Sequence, residues 1–137
     1  MRKTVFVVLF GAAFSAVAAD KTLDCDNPKT TLQVNECAAM ALDASREEMA
    51  AYLEASLEHN GFDPELVEAI ESAQEQWDNY VDSHCGSVYT QWRDGTIRDA
   101  KALSCKTRLT RQRTHEIWLN FLTYMDSTPP VLPEPAK

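Results

Sequence analysis

Between Thr31 and Met125 the chain carries only four residues that oppose a helix: Gly61, Pro64, Gly86 and Gly95. The stretches between them are rich in Ala, Leu, Glu and Gln, which lose little freedom in a helix. Such punctuation leaves room for three long helices and for little else. The first is expected from about Thr31 to Asn60, with Thr30 and Gln33 spaced as a capping box and Gly61 placed as a C′ residue. The second opens at Asp63-Pro64-Glu65, an N-cap followed by proline at the first helical position, and is expected to reach about His84. The third is expected from near Thr96 to about Met125.

The apolar spacing agrees with these limits. Val34, Ala38, Ala41, Ser45, Met49, Tyr52 and Ser56 recur at three and four, and so do Leu66, Ile70, Ala73, Trp77, Tyr80, Val81 and His84. Helix three has two apolar sides, Leu109, Ile117, Phe121 and Tyr124 on one and Trp118, Leu122 and Met125 on another. This pattern marks it as the most buried helix. No strand pattern and no internal repeat is present. The expected fold is all-α, an antiparallel three-helix bundle.

The two ends of the chain read differently. Arg2 and Lys3, the apolar run Val5 to Phe14 and the small residues Val17-Ala18-Ala19 form a secretory signal peptide over residues 1–19, cleaved near Ala19. It is too short to span a bilayer, and no later stretch is long enough, so no stable membrane insertion is expected. The bundle then occupies 20–126. Residues 127–137, with four prolines, read as a disordered or polyproline tail.

Four cysteines, at 25, 37, 85 and 105, in an exported chain of this size read as two disulfides. A Cys25–Cys37 bridge would pin the N-terminal arm to the first helix, and a Cys85–Cys105 bridge would staple the second to the third. That pairing is the one expected. Crossed pairings stay open, because both bridges fall at the same end of an up-down-up bundle. A zinc site is not expected, since neither a CxxC nor an HxxxH spacing exists. No other cofactor is implied.

Without residues 1–19 the chain keeps 11 basic and 21 acidic residues, a net charge of −10. Phosphate would be repelled, which excludes nucleic acid as the default partner and disfavours anionic lipid. A basic protein partner is favoured instead. The charge is also divided: residues 20–82 carry 16 acidic and 3 basic side chains, residues 83–137 carry 5 and 8. On helix two Glu68, Glu71, Glu75, Asp78 and Asp82 form a stripe away from Trp77, and on helix one Glu36, Asp43, Glu47, Glu54 and Glu58 form another. Arg108, Arg111 and Arg113 are candidates for neutralising them. Trp92 and Arg93, with Tyr89, lie in the expected Gly86–Gly95 loop and have the composition of an interface anchor.

Catalytic chemistry has little to stand on. There is no nucleophile-elbow, phosphate-loop, HExxH or haem-attachment motif, and His59, His84 and His115 are scattered. Carboxylates on watery helix faces have no means of raising one pKa for acid catalysis, so the chain is not expected to be an enzyme.

Thr30-Thr-Leu-Gln-Val-Asn-Glu-Cys-Ala38 is similar to the cysteine-ended opening motif of the lysozyme-inhibitor LprI-like family. Ala73-Gln-Glu-Gln-Trp-Asp-Asn-Tyr-Val-Asp-Ser-His-Cys85 resembles its second motif, a Gln-x-x-Trp-x-x-Tyr run ending in cysteine. Asp94-Gly95-Thr96, with Cys105, Thr110 and Arg113, resembles its third block. Val81 stands where the family often has arginine, and Asp94 replaces the first of a usual glycine pair. The resemblance implies a helical periplasmic or secreted domain and points to inhibition of lysozyme. The function expected is therefore binding: inhibition of a lysozyme-type cell-wall hydrolase through the acidic helices, with Glu68, Glu71, Glu75, Asp78, Asp82, Trp92 and Arg93 as partner-binding residues. The alternative class is an envelope adaptor or immunity-like protein that uses the Trp92 loop or the proline tail.

Overall fold

The computed structural model describes residues 23–136. The expected signal peptide and its cleavage site lie outside these residues. Among the described residues there are three helices and no strand: α1 (Thr31–His59), α2 (Pro64–Gln91) and α3 (Arg98–Phe121).

Local chemistry sets most of the boundaries. The Thr30 hydroxyl accepts from the Gln33 N–H at 3.2 Å, and Gln33 Oε1 accepts from the Lys29 N–H at 2.7 Å, a capping box whose return bond falls one residue early. Asp63 caps α2 by accepting from the Leu66 N–H at 3.2 Å, with Pro64 behind it. Gly61 departs from expectation, since no described residue has a positive φ. The Asn60 side-chain amide ends α1 instead, donating to the carbonyls of Ser56 (2.8 Å) and Phe121 (3.3 Å). Glycine at 61 eases a close approach, because a Cβ there would lie 3.3 Å from the Glu58 carbonyl oxygen.

α2 runs through Gly86 to Gln91, past the expected end at His84. A lone glycine costs a helix about 1 kcal/mol relative to alanine. That cost is outweighed here by Cys85 and Val88, which bind the last turns to the core. Trp92 is thus the C-cap of α2 and Tyr89 a helical residue, where a loop was expected. A Cβ at Gly86 would meet nothing within 4 Å. Gly86→Ala is therefore expected to stabilise the fold by about 0.5–1 kcal/mol, read as a higher denaturant midpoint at unchanged m-value.

α3 starts at Arg98, close to the expected start near Thr96 and with no side-chain cap, and it is the spine of the bundle. Both other helices pack on α3 and meet each other far less. Ala100, Cys105, Leu109 and Ile117 are buried along it, and Val81, Cys85, Cys105 and Leu109 form an apolar cluster closed by Trp77 and Val88. Leu42, Ile70 and Leu122 are buried as well, and beside them the interior holds the hydroxyls of Ser45, Ser56, Thr107, Thr110 and Thr114. Ser45, Ser56, Thr107 and Thr114 donate to carbonyls three or four residues earlier in their own helices. The disulfides are Cys25–Cys37 and Cys85–Cys105, the pairing expected.

Residues 127–136, where a disordered or polyproline tail was expected, fold back onto the bundle. The Thr128 N–H donates to Asp126 Oδ1 at 2.8 Å and turns the chain. The Val131 N–H then donates to the Leu122 carbonyl at 2.8 Å, and α3 ends at Phe121 instead of near Met125. Proline removes donors but keeps carbonyl acceptors. Trp118 Nε1–H donates to the Leu132 carbonyl at 2.9 Å, and the Tyr52 hydroxyl to the Pro133 carbonyl at 2.8 Å. Burial, with Glu48 nearby, raises the Tyr52 phenol above its ordinary pKa and keeps it a donor. Pro135 is buried. The second apolar side of α3, with Trp118 and Leu122, is what this segment covers.

Candidate functional site

Glu68, Glu71, Glu75, Asp78 and Asp82 are all exposed, on one flank of α2. Four turns separate the first from the last, about 21 Å at 1.5 Å per residue. They are not equivalent. Asp82 accepts from Lys106 Nζ at 2.6 Å, and that hydrogen bond and charge hold its carboxyl below the usual carboxylate range. Asp78 Oδ1 accepts from the buried Gln74 amide at 3.3 Å, and Gln74 Oε1 accepts from Arg113 Nε at 3.0 Å. Arg113 is thereby committed to the interior, and it also lies 3.6 Å from Glu116. Glu68, Glu71 and Glu75 have no cationic partner among the described residues. The outward charge of the stripe is carried by these three and by Asp78, whose amide partner is neutral.

At the C-terminal end of α2 the chemistry changes. Trp92 is 43% exposed, with Lys101 Nζ 4.8 Å above its ring, and Arg98 lies over the half-exposed Tyr89 ring. Arg93 is exposed and donates to the Thr90 carbonyl at 3.3 Å. Trp92 and Arg93 therefore belong to a cationic, aromatic cap beyond the acidic flank and do not interleave with it. The α1 carboxylates Glu36, Asp43, Glu47, Glu54 and Glu58 are exposed as well, opposite the buried Leu42, Ser45 and Ser56.

One concavity was not anticipated from the residue pattern. An open groove of about 800 Å³ lies between α1 and α3, lined by Ala38 and Ala41 and by the charged or titratable Arg108, Arg111, His115 and Glu116. Arg108 donates to Gln112 at 3.2 Å, and neither it nor Arg111 pairs with a carboxylate among the described residues. They do not neutralise the acidic stripes. The available signal was small residues at 38 and 41 opposite arginines at 108 and 111, but which helix faces meet is a tertiary fact. Among the described residues no three His, Cys, Asp or Glu side chains converge as a metal site requires.

The cysteine framework and the helices that it joins are also where the chain matches a known family. The family model described as lysozyme inhibitor LprI matches residues 25–117. The chain belongs to that family. The match spans both disulfides, the acidic flank, the Trp92 cap and most of α3. No curated protein and no solved structure matches the chain. Val81 is buried in the apolar cluster beside Cys85 and Cys105. No helix among the described residues is long and apolar enough to cross a membrane.

Proposed function

We propose that this protein is an exported inhibitor of a lysozyme-type cell-wall hydrolase, a binding protein without catalysis of its own, working in the periplasm or outside the cell. The observation that carries the reading is the family match over residues 25–117. Two disulfides suit an oxidising compartment. The acidic flank supplies a physical means of capture, because a basic hydrolase approaching exposed Glu68, Glu71 and Glu75 is steered by an attractive field. The Trp92–Arg93 cap, at the end of the same helix, supplies aromatic surface to anchor the complex. Occlusion of the hydrolase's substrate cleft then follows from steric bulk.

The two parts of this mechanism separate kinetically. Reversing Glu68, Glu71 and Glu75 to lysine should slow association with lysozyme roughly tenfold at low salt and little at high salt, where the screening length falls to a few ångströms. These three positions are preferable to Asp78 and Asp82, whose replacement would also disturb Gln74 and Lys106. Trp92→Ala should instead quicken dissociation. Surface plasmon resonance against several lysozyme classes reads both rates. Absence of binding to every class, together with undiminished lysozyme activity at a molar excess of this protein, would overturn the proposal.

A further inference from the structure

The cleft between α1 and α3 holds a peptide at one end, the chain's own residues 131–135. Residues 131–135 descend antiparallel to α3: Val131 bonds at Leu122, Leu132 at Trp118, and Glu134 Oε1 lies 3.2 Å from His115 Nε2. Tyr52 on α1 holds the Pro133 carbonyl from the opposite wall. An extended, proline-rich chain is thus bound by side-chain donors to its carbonyls and by an imidazole to its carboxylate. His115 also lines the open groove that continues toward Arg111, Arg108, Ala41 and Ala38. The segment's course points into that open groove.

We propose that the open groove is a binding site for an acidic peptide in extended conformation, seated end-on to the chain's own proline-rich segment. Local charge favours it against the chain's overall acidity: Arg108 and Arg111 face the groove with no carboxylate partner among the described residues, and the one carboxylate in the lining, Glu116, lies 3.6 Å from Arg113. Spacing favours it too. The two arginines stand one turn apart on α3, about 4.5 Å along the axis. Alternate side chains of an extended peptide repeat at about 6.5 Å, within the reach of two long guanidinium arms. The alanines leave room for backbone to lie close. This site is independent of the inhibitor reading, since a cationic groove repels the basic hydrolase that the α2 flank attracts.

Calorimetry of the exported protein with hexaglutamate at low salt should give saturable one-to-one binding, with none for hexalysine. Arg108→Gln with Arg111→Gln should weaken binding roughly tenfold or more, because charge-assisted pairs are lost. Arg46→Gln, a cation outside this groove, should leave it within about twofold. Both arginines are exposed, so the double variant should keep its helical circular dichroism and melting temperature. The proposal is overturned by an absence of heat with hexaglutamate, by an equal loss in Arg46→Gln, or by tighter binding of a polygalacturonate of matched charge than of the peptide.

Discussion

Replacing Cys85 and Cys105 together by alanine should lower the unfolding free energy by about 4–5 kcal/mol, against about 3 kcal/mol for the Cys25 and Cys37 pair. Loop entropy alone predicts near equality, because the bridged separations of 20 and 12 residues each correspond to roughly 3 kcal/mol. The difference comes from packing. Cys85 is 0% exposed and sits with Cys105 among Val81, Leu109, Trp77 and Val88, whereas Cys25 is exposed on an arm. Removing two buried sulfurs leaves voids that these neighbours cannot fill, for roughly 1–2 kcal/mol more. At about 4 °C per kcal/mol the inner pair should cost some 15–20 °C of melting temperature and the outer pair about 12 °C. Thermal unfolding followed by circular dichroism separates the cases. Equal losses would mean that the sulfurs contribute nothing to the core.

Ile117→Ala should cost about 3–4 kcal/mol, while Leu119→Ala, two residues along the same helix, should cost less than about 0.5 kcal/mol. Ile117 is 0% exposed and Leu119 is 52% exposed. Helical geometry turns the intervening step through about 200°, carrying one side chain into the interior and the other into water. Deleting a buried isoleucine loses its transfer free energy and leaves a cavity. α3 is held between two helices, so its backbone has little freedom to collapse into the gap. Urea titration of the two variants measures the contrast. A loss under 1 kcal/mol for Ile117→Ala would show that α3 is not the spine.

The sequence carried the helices because local chemistry decides them. Thr30, Asp63 and Pro64 act within one turn, and the run from Thr31 has nothing to break it. It misjudged Gly86 because a propensity cost of about 1 kcal/mol is small beside a disulfide and a buried valine in the adjoining turns. The tail was misread for a related reason. Proline-rich composition reports the lack of backbone donors, but docking uses acceptors, and its donors sit far away at Trp118 and Tyr52. The second apolar side of α3 was visible, though nothing in its spacing named the segment that covers it. The acidic flank followed from periodicity. Which of its carboxylates stay free did not, because Lys106 approaches Asp82 only once α2 and α3 are laid together, and Gln74 turns to Asp78 within α2 while its oxygen is held by Arg113 of α3.

The two disulfides divide the chain into covalent islands. One ties the N-terminal arm to α1, and the other ties α2 to α3, so neither fastens α1 to the hairpin beside it. Parting α1 from α3 breaks no sulfur bond, and the interface has few hydroxyl bonds to hold it, since its serines and threonines bond within their own helices. Polar ties across that seam, among the described residues, include the Asn60 amide, the Tyr124 hydroxyl 3.5 Å from His59 Nε2 and the returning proline segment, which touches Tyr52 on one side and Trp118 on the other. Oxidation therefore staples the hairpin covalently and leaves α1 held to it by close packing and by the returning segment.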